Sequence, residues 1–406
     1  MFSLYLYLAL ALLVGIITGI FTGLAPGIHI NLIAALLFAA ATSITFVSEL
    51  NPLVLAVFLV SIAITHIFID FIPSIFLGAP DEDSYLSILP GHEMLIKGKG
   101  YQAIVLTLYG CLAGLFLILV FSPIFYFFLP KIYPYAERIM PYILVLASFF
   151  LIYFEKTSRL KALIVFLLSG FLGIATLNLP IKESLLPLFT GLFGVSSLVT
   201  SISKKQKIPK QEIEKIKNIG VGKKSFLKSI FASIIASPLC SFLPGMGSGQ
   251  AAVIGSEVIG ELNRKEFLVL LGIISTTVTG LSFITLYSIG KARTGIAVAI
   301  GKFIELSLKD IIIISIAIIL TGIIAFFISV FIARIFSKYI SKINYRLLSL
   351  IILLILVVVC FLLSGFLGIL VLAVSTAVGL TCIYLGIRRT HMMGCLLLPT
   401  ILLYLL

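Results

Sequence analysis

Hydrophobic positions in this chain come in long unbroken runs. Stretches without Asp, Glu, Lys or Arg cover 1–48, 50–69, 100–130, 139–154, 162–181, 184–203, 229–256, 267–290, 311–333, 347–387 and 390–406. A helix that crosses the hydrocarbon core of a bilayer needs roughly 20 apolar residues. The first and tenth stretches are long enough for two segments each, so the pattern predicts about ten to twelve crossings. The runs are too long and too uniformly apolar for barrel strands, which leaves helices. The expected class is an all-α integral membrane protein. The apolar start resembles the core of a signal peptide, but it has no basic flank and continues past Leu24. It reads as the first transmembrane helix.

Composition agrees with that pattern. Hydrophobic residues make up 61% of the 406 and charged residues 11%, with a mean hydropathy of +1.24. Soluble globular chains carry about twice that share of charge, and disordered chains are far less apolar. The net charge of +13 is concentrated in three places. Residues 202–228 hold nine lysines against Glu212 and Glu214; Arg334, Lys338, Lys342 and Arg346 form a second patch, and Arg388 with Arg389 a third. The positive-inside rule makes 202–228, 334–346 and 388–389 cytoplasmic loops, a better account than nucleic-acid binding. Two crossings within 347–387 would return the chain to the side it left. The five cysteines lie in apolar segments without a CxxC and read as packing residues. Trp is absent, so interface anchoring falls to Tyr, as in the cluster of Tyr126, Tyr133 and Tyr135 beside Lys131.

The hydrophilic stretch from Ser201 to Ser225 divides the chain near its midpoint. It is either an ordinary surface loop or a junction between repeats. The expected organisation is a first membrane half at 1–200, a basic linker at 201–228 and a second membrane half at 229–406. GIITGIFTGLAPGIHINLIAALL at 15–37 and SIIASPLCSFLPGMGSGQAAVIG at 233–255 each run as an apolar helix to Pro-Gly and then resume, pairing Pro26–Gly27 with Pro244–Gly245. The short apolar segments 71–80 and 294–301 follow at similar distances, and neither can span a bilayer alone. Interrupted or short apolar segments at matching places in two halves point to a transporter's binding site. An odd number of crossings per half would make the repeats inverted; the sequence leaves that count open.

Proline removes a backbone donor and glycine permits close approach, so each Pro-Gly leaves unpaired N–H groups at the start of the next helix. That end favours an anion, and the freed carbonyls before it suit Na⁺. The candidate substrate residues are Gly27, His29 and Asn31 at the first break and Gly245, Gly247, Ser248, Gly249 and Gln250 at the second. The competing reading is a kinked helix with small residues for packing. Asp70 lies in a strongly apolar context with His66 four residues earlier, on one face if helical. Ionisable groups at membrane depth default to function, the alternative being a hydrated interface position. Asp81, Glu82 and Asp83 follow Gly78-Ala79-Pro80; they either cap a helix start or bind a cation. Leu89-Pro90-Gly91-His92 reads as a third break. Glu257 with Glu261 reads as a helix end at the interface, and Lys291 and Arg293 as loop charges or anion contacts. No GxxxxGK[ST], HExxH or GxSxG occurs, and GMGSG lacks the strand and acidic partner of a dinucleotide site.

The order of GIFTGLAPGIHINLIAALL, SIFLGAPDEDSYLSILPGHEMLIKGKGYQAI and FLPGMGSGQAAVIGSEV resembles the large permease subunit of tripartite tricarboxylate transporters, the TctA family. The resemblance is strongest over roughly residues 10–110 and 230–305. It implies a Gly-Thr-Pro-type loop at Gly78-Ala79-Pro80, with Gly78 and Pro80 at the substrate. Here Ala79 stands where the family has threonine, and three acids follow that would repel a tricarboxylate. The resemblance also implies a small membrane subunit and an extracellular solute-binding protein as partners.

The expected protein is thus a cell-membrane permease with two related halves and discontinuous or re-entrant helices. It would move a small organic solute, with carboxylates among the candidates, on a Na⁺ or H⁺ gradient. Asp70, Asp81 and Asp83 are the candidate cation-coupling residues; no catalytic residue, other cofactor or resident metal is expected. The rival readings are an intramembrane hydrolase using His66, Asp70 and His92, and a channel. Convergence of those three side chains would favour the first rival, and a continuous pore the second.

Overall fold

The computed structural model describes residues 2–25, 50–78, 86, 88–153, 155, 157–181, 183–203, 208–242, 248–260, 262–292, 294–342 and 344–405. Every regular element among them is helical. The helices are α1 (Phe2–Leu24), α2 (Pro52–Leu77), α3 (Ile88–Ile96), α4 (Gly100–Tyr153) and α5 (Arg159–Leu177). They continue as α6 (residues 185–203, with a π-helical stretch Thr190–Val195 inside it), α7 (Lys223–Phe242) and α8 (Ser248–Ile259). The last are α9 (Arg264–Ile289), α10 (Gly295–Phe303), α11 (Leu308–Tyr339), α12 (Tyr345–Leu385) and α13 (Gly394–Leu405). Among the described residues seven helices are long and apolar enough to cross a membrane: α1, α2, α4, α5, α9, α11 and α12. The protein is an all-α, multi-pass membrane protein.

Two of the seven fold back on themselves. Within α12, Gly365 takes φ 67°, ψ −163°, which interrupts the helix. A Cβ on Gly368 would lie 3.4 Å from the carbonyl oxygen of Cys360. Eight residues of straight helix span about 12 Å, so the chain must reverse at Gly365. The arms 345–364 and 366–385 are each roughly 30 Å long, enough for a crossing. The 54-residue α4 follows α9 from one end to the other. Gly110 meets Val269, Gly280 meets Ile118, Tyr126 stacks on Tyr287, and Tyr133 receives a hydrogen bond from Lys291. Residues 143–151 then line a cavity with Val253, Glu257 and Leu397, back near the level where α9 begins. α4 therefore bends sharply between Tyr133 and Ile143, where Pro134 and Pro141 interrupt its hydrogen bonding.

α2 and α9 are buried on nearly all sides and are built alike. Each has 26 residues and an Asn cap (Asn51, Asn263) whose side chain accepts backbone N–H groups. Each ends at a glycine in the left-handed region, Gly78 at φ 66° and Gly290 at φ 67°, where a side chain would be strained. Each is followed by a nine-residue helix, α3 or α10. The partners correspond too. α1 lies parallel to α2 through Gly15 on Ser61, Gly19 on Thr65 and Gly23 on Ile69. α7 lies parallel to α9, with Ser229 donating to Glu266 O at 2.9 Å and Thr285 to Ser241 O at 3.4 Å. With Pro26 aligned to Pro244, Gly15, Gly19 and Gly23 fall on Ser233, Ser237 and Ser241.

Packing between the two sets is reciprocal. α2 runs parallel to α11, through Thr321 Oγ1 on Ser61 Oγ at 3.2 Å and Phe76 on Phe336 at 6.1 Å between rings. α9 runs parallel to α4. α4 and α11 are antiparallel, with Tyr109 on Phe326 and, further along α4, Leu115 on Gly322. Hence α2 and α9 point in opposite directions. Small residues let the backbones approach, which is how helices associate where lipid is as apolar as their side chains.

Three readings of the pattern need correction. Segment 71–80 is not a separate short element, because α2 runs through Asp70 to Leu77. The short helix matching α10 is α3. Leu89-Pro90-Gly91-His92 is no break: it lies inside α3, with Pro90 in the first turn, where its missing N–H removes no intrahelical bond. The linker is not a plain surface loop over its described part. Buried Gln211 accepts from Gly100 N at 2.8 Å and donates to Leu95 O at 3.0 Å. Glu212 N donates to Gly98 O at 2.8 Å, and Tyr109 to Ile216 O at 2.8 Å. The linker therefore straps the α3–α4 junction.

Charge gathers on one face. The strap meets the start of α4, Arg334 acts on Tyr101, Glu266 in the first turn of α9 bonds Ser225 and Ser229, and Arg264 pairs with Glu93 of α3. Arg388 reaches Glu257 at the end of α8. The described parts of the three basic patches thus share a face.

Candidate functional site

α2 buries Ser61, Thr65, His66, Asp70 and Ser74. Four-residue spacing places His66, Asp70 and Ser74 one above another. Ser74 Oγ donates to Asp70 Oδ1 at 3.4 Å, and His66 Nδ1 lies 3.1 Å from Thr22 Oγ1. Thr22 belongs to the last turn of α1, just before Pro26. Asp70 is buried, so the hydrated-interface reading does not describe it. Thr65 Oγ1 is buried and has no hydrogen-bond partner among the described residues.

Beyond its first turn α9 buries polar side chains that are all hydroxyls: Ser275, Thr276, Thr277, Thr279, Ser282 and Thr285. Ser282 Oγ lies 3.0 Å from Thr294 Oγ1, and Thr294 caps α10 by accepting from Ala297 N at 3.3 Å. Thr285 reaches the carbonyl of Ser241 in the last turn of α7, before the second Pro-Gly. Counted from the Asn caps, Asp70 and Ser282 occupy the same position. Each break is therefore approached by a helix whose last turn contacts the polar face of a central helix. α2 buries a carboxyl and an imidazole, whereas α9 beyond its first turn buries only hydroxyls.

Among the predicted site residues, Gly78 is the left-handed cap of α2, its N–H bonded to Pro73 O. Ser248 and Gly249 form the buried start of α8. α8 returns alongside α7, because a Cβ on Gly255 would meet Ala232 O at 2.8 Å. Its 12 residues span about 18 Å, too short to cross. Pro26, Gly27, His29, Asn31, Pro80, Asp81, Glu82, Asp83, Pro244, Gly245, Gly247, Glu261 and Arg293, with the Gln250 side chain, lie outside the described residues. His92 sits on α3. Among the described residues no three His, Cys, Asp or Glu side chains gather as a metal set, so nothing supports the hydrolase reading. Lys291, read as a loop charge or anion contact, donates to Tyr133 Oη at 2.7 Å and lies over its ring.

Sequence reasoning missed a charge network at the basic face. Glu155, in the turn between α4 and α5, has a side chain only 2% exposed and meets Arg388 Nε at 3.2 Å and His391 Nε2 at 2.6 Å. Arg388 Nη1 reaches Glu257 Oε1 at 3.1 Å, and Nη2 donates to Leu151 O at 3.5 Å. Glu257 is thus tied to the frame rather than left at a free helix end. Each of these charges flanks an apolar run and reads as a loop charge; only its partner, distant in sequence, distinguishes it.

Burial alone would raise the Glu155 carboxyl. Hydrogen bonds from Thr157 N–H, His391 and Arg388 outweigh it and hold the group at about 2, against 4.5 ordinarily. His391 is held below 6.5 by burial, with Glu155 opposing and Arg388 reinforcing the shift. Both folded values are depressed, so both contributions rise with pH. Stability should fall below about pH 6.5 as unfolded-state His391 takes up a proton, and again from 4.5 toward 2 through Glu155. Arg388→Met should cost roughly 2–4 kcal/mol, somewhat under the fully buried case because the arginine is partly exposed. Thermal unfolding in detergent across pH measures both effects. Adding Glu155→Gln to Arg388→Met should cost less than the sum of the single changes; strict additivity would dismiss the pairing.

Comparison with known proteins bears on what this frame does. Residues 9–394 match the model of the tripartite tricarboxylate transporter TctA family. An "uncharacterized protein" of Methanocaldococcus jannaschii is 34% identical over 301 residues, covering 72% of each chain. No solved structure matches. The match takes in both central helices and the sequence around both Pro-Gly breaks: this chain belongs to the tripartite tricarboxylate transporter TctA family.

Proposed function

We propose that the protein is a secondary carrier that moves a small organic solute across the cell membrane on a Na⁺ or H⁺ gradient. One observation carries this reading: two oppositely directed central helices, alike in length and caps, each set a buried polar side chain against the last turn of the helix that precedes a Pro-Gly. That is the arrangement expected of inverted repeats that hold a substrate between them and rock to alternate access. The repeats would be 1–200 and 229–406, joined by 201–228. Substrate would lie among Gly27, His29, Asn31, Gly78, Pro80, Gly245, Gly247, Ser248, Gly249 and Gln250. Asp70, with Asp81 and Asp83, would couple the cation. The basic face would be cytoplasmic. Carboxylates are first among candidate solutes on family grounds, although Ala79 and the acids after it speak against a tricarboxylate. A small membrane subunit and an extracellular solute-binding protein would complete the system.

The test is uptake into proteoliposomes across a panel of organic acids and amino acids, with imposed Na⁺ or H⁺ gradients. The wild type should accumulate at least one panel member. Gly245→Leu should reduce that uptake by about tenfold or more while the protein still inserts, since a bulky side chain blocks approach to the backbone. Absence of uptake for every panel member under both gradients would remove the reading.

A further inference from the structure

Two adjacent arginines at the basic face have opposite surroundings. Arg388 is fully engaged through Nε, Nη1 and Nη2 with two acids and a carbonyl. The Arg389 guanidinium is anchored by Nη1 alone, which donates to Phe193 O at 3.2 Å and to Ser197 Oγ on the π-helical and following turns of α6. Its Nε and Nη2 have no hydrogen-bond partner among the described residues, and no described acid pairs with it. The residue is half-buried, yet neither nitrogen is sealed in the interior. Burial pulls the group down to about 10 from 12.5, and no acid among the described residues supplies the counter-charge that normally offsets desolvation.

The open edge has a chemistry. Nε and Nη2 form the side of the guanidinium fork that takes two oxygens of an oxyanion at once. The place fits as well. Arg389 follows the second arm of α12, which ends at Leu385 near the membrane boundary, and Tyr384 beside that end is exposed as an interface anchor is. The described parts of the three basic patches share this face, so it attracts anions.

We propose that Arg389, held in place by Phe193 O and Ser197, binds a phosphate oxyanion through its Nε/Nη2 edge at the basic face. Two sources carry that chemistry: the phosphodiester of an anionic phospholipid and free inorganic phosphate.

The full-length protein would be placed in phosphatidylcholine nanodiscs, then supplied with phosphatidylglycerol or with inorganic phosphate. Thermal midpoint and lipid retained by native mass spectrometry are the readouts. Phosphatidylglycerol should be retained in preference to phosphatidylcholine and raise the midpoint. Arg389→Gln should weaken that retention by roughly tenfold or more, and Arg389→Lys, which keeps the charge but not the fork, should fall between. Arg346→Gln, an exposed charge of the neighbouring patch, should behave as wild type. A response to phosphate without a lipid preference supports the site with the soluble anion as its source. No response of the wild type to either overturns the proposal, as does equal loss in Arg346→Gln, which would mean diffuse attraction. If Arg389→Gln fails to fold, the wild-type response and Arg389→Lys decide the question.

Discussion

Asp70→Asn should lower ion-driven uptake by about tenfold or more while leaving the protein folded. The substitution keeps shape and a hydrogen-bonding oxygen for Ser74 but removes a carboxyl at membrane depth. Insertion scales put an acid at a helix centre at roughly 2.5–3.5 kcal/mol, so the position is costly unless it works. Asp70 is also placed to work: it lies on the buried face of α2, one turn beyond His66, which touches the last turn before the first Pro-Gly. Uptake rates measured against the size of the Na⁺ or H⁺ gradient check this. Unchanged dependence on both gradients would reduce Asp70 to a structural hydrogen-bond partner. Ser282→Ala, at the corresponding place on α9, should cost much less, about 1 kcal/mol for a lost neutral hydrogen bond.

Gly272→Val should have the largest effect on assembly. A Cβ at Gly272 would lie 2.0 Å from Thr107 O and 2.9 Å from Cys111 N. The facing position is equally tight, since a Cβ at Gly110 would lie 2.1 Å from Val269 O. These neighbours are backbone atoms, so no rotamer change relieves the clash and α4 must move off α9. Overpacking a core costs typically about 1–3 kcal/mol, and the absence of any soft neighbour puts this site at or beyond the upper end. The expected outcome is loss of monodisperse protein on size exclusion in detergent. Gly280→Ala offers an internal comparison: its nearest neighbour is the tip of the Ile118 side chain, which can turn away. A Gly272→Val protein as stable as Gly280→Ala would contradict the close crossing.

Part of the frame around the candidate site is legible along the chain. The described helices α1 and α7 end at Leu24 and Phe242, shortly before Pro-Gly at 26–27 and 244–245, as expected where proline cannot donate. The spacing of His66 and Asp70 gives their common face. The correspondence of Gly15, Gly19 and Gly23 with Ser233, Ser237 and Ser241 is also present in the sequence, but only as a spacing of small residues. Identity hides it, since glycine and serine serve the same end, close approach of backbones. The readings that failed did so for local reasons. Asp70 marks the end of a charge-free run, but α2 carries it inside because its hydrogen bonds continue to a left-handed cap at Gly78. Pro90 suggests a break, yet in a first turn proline interrupts nothing.

The sequence alone determined that this protein lives in a bilayer, that it is helical, where its charge lies and where Pro-Gly interrupts its apolar runs. Those features follow from hydrocarbon's refusal of unpaired backbone and charge, which acts on each segment separately. The tertiary structure decided which helix faces meet: α2 with α11, α4 with α9, and the opposite directions of the two central helices. It also decided that Arg388 has two acids and Arg389 none among the described residues. Hydropathy cannot choose among apolar faces that lipid would satisfy equally well. The choice rests on small residues and polar pairs whose partners are far apart in the chain.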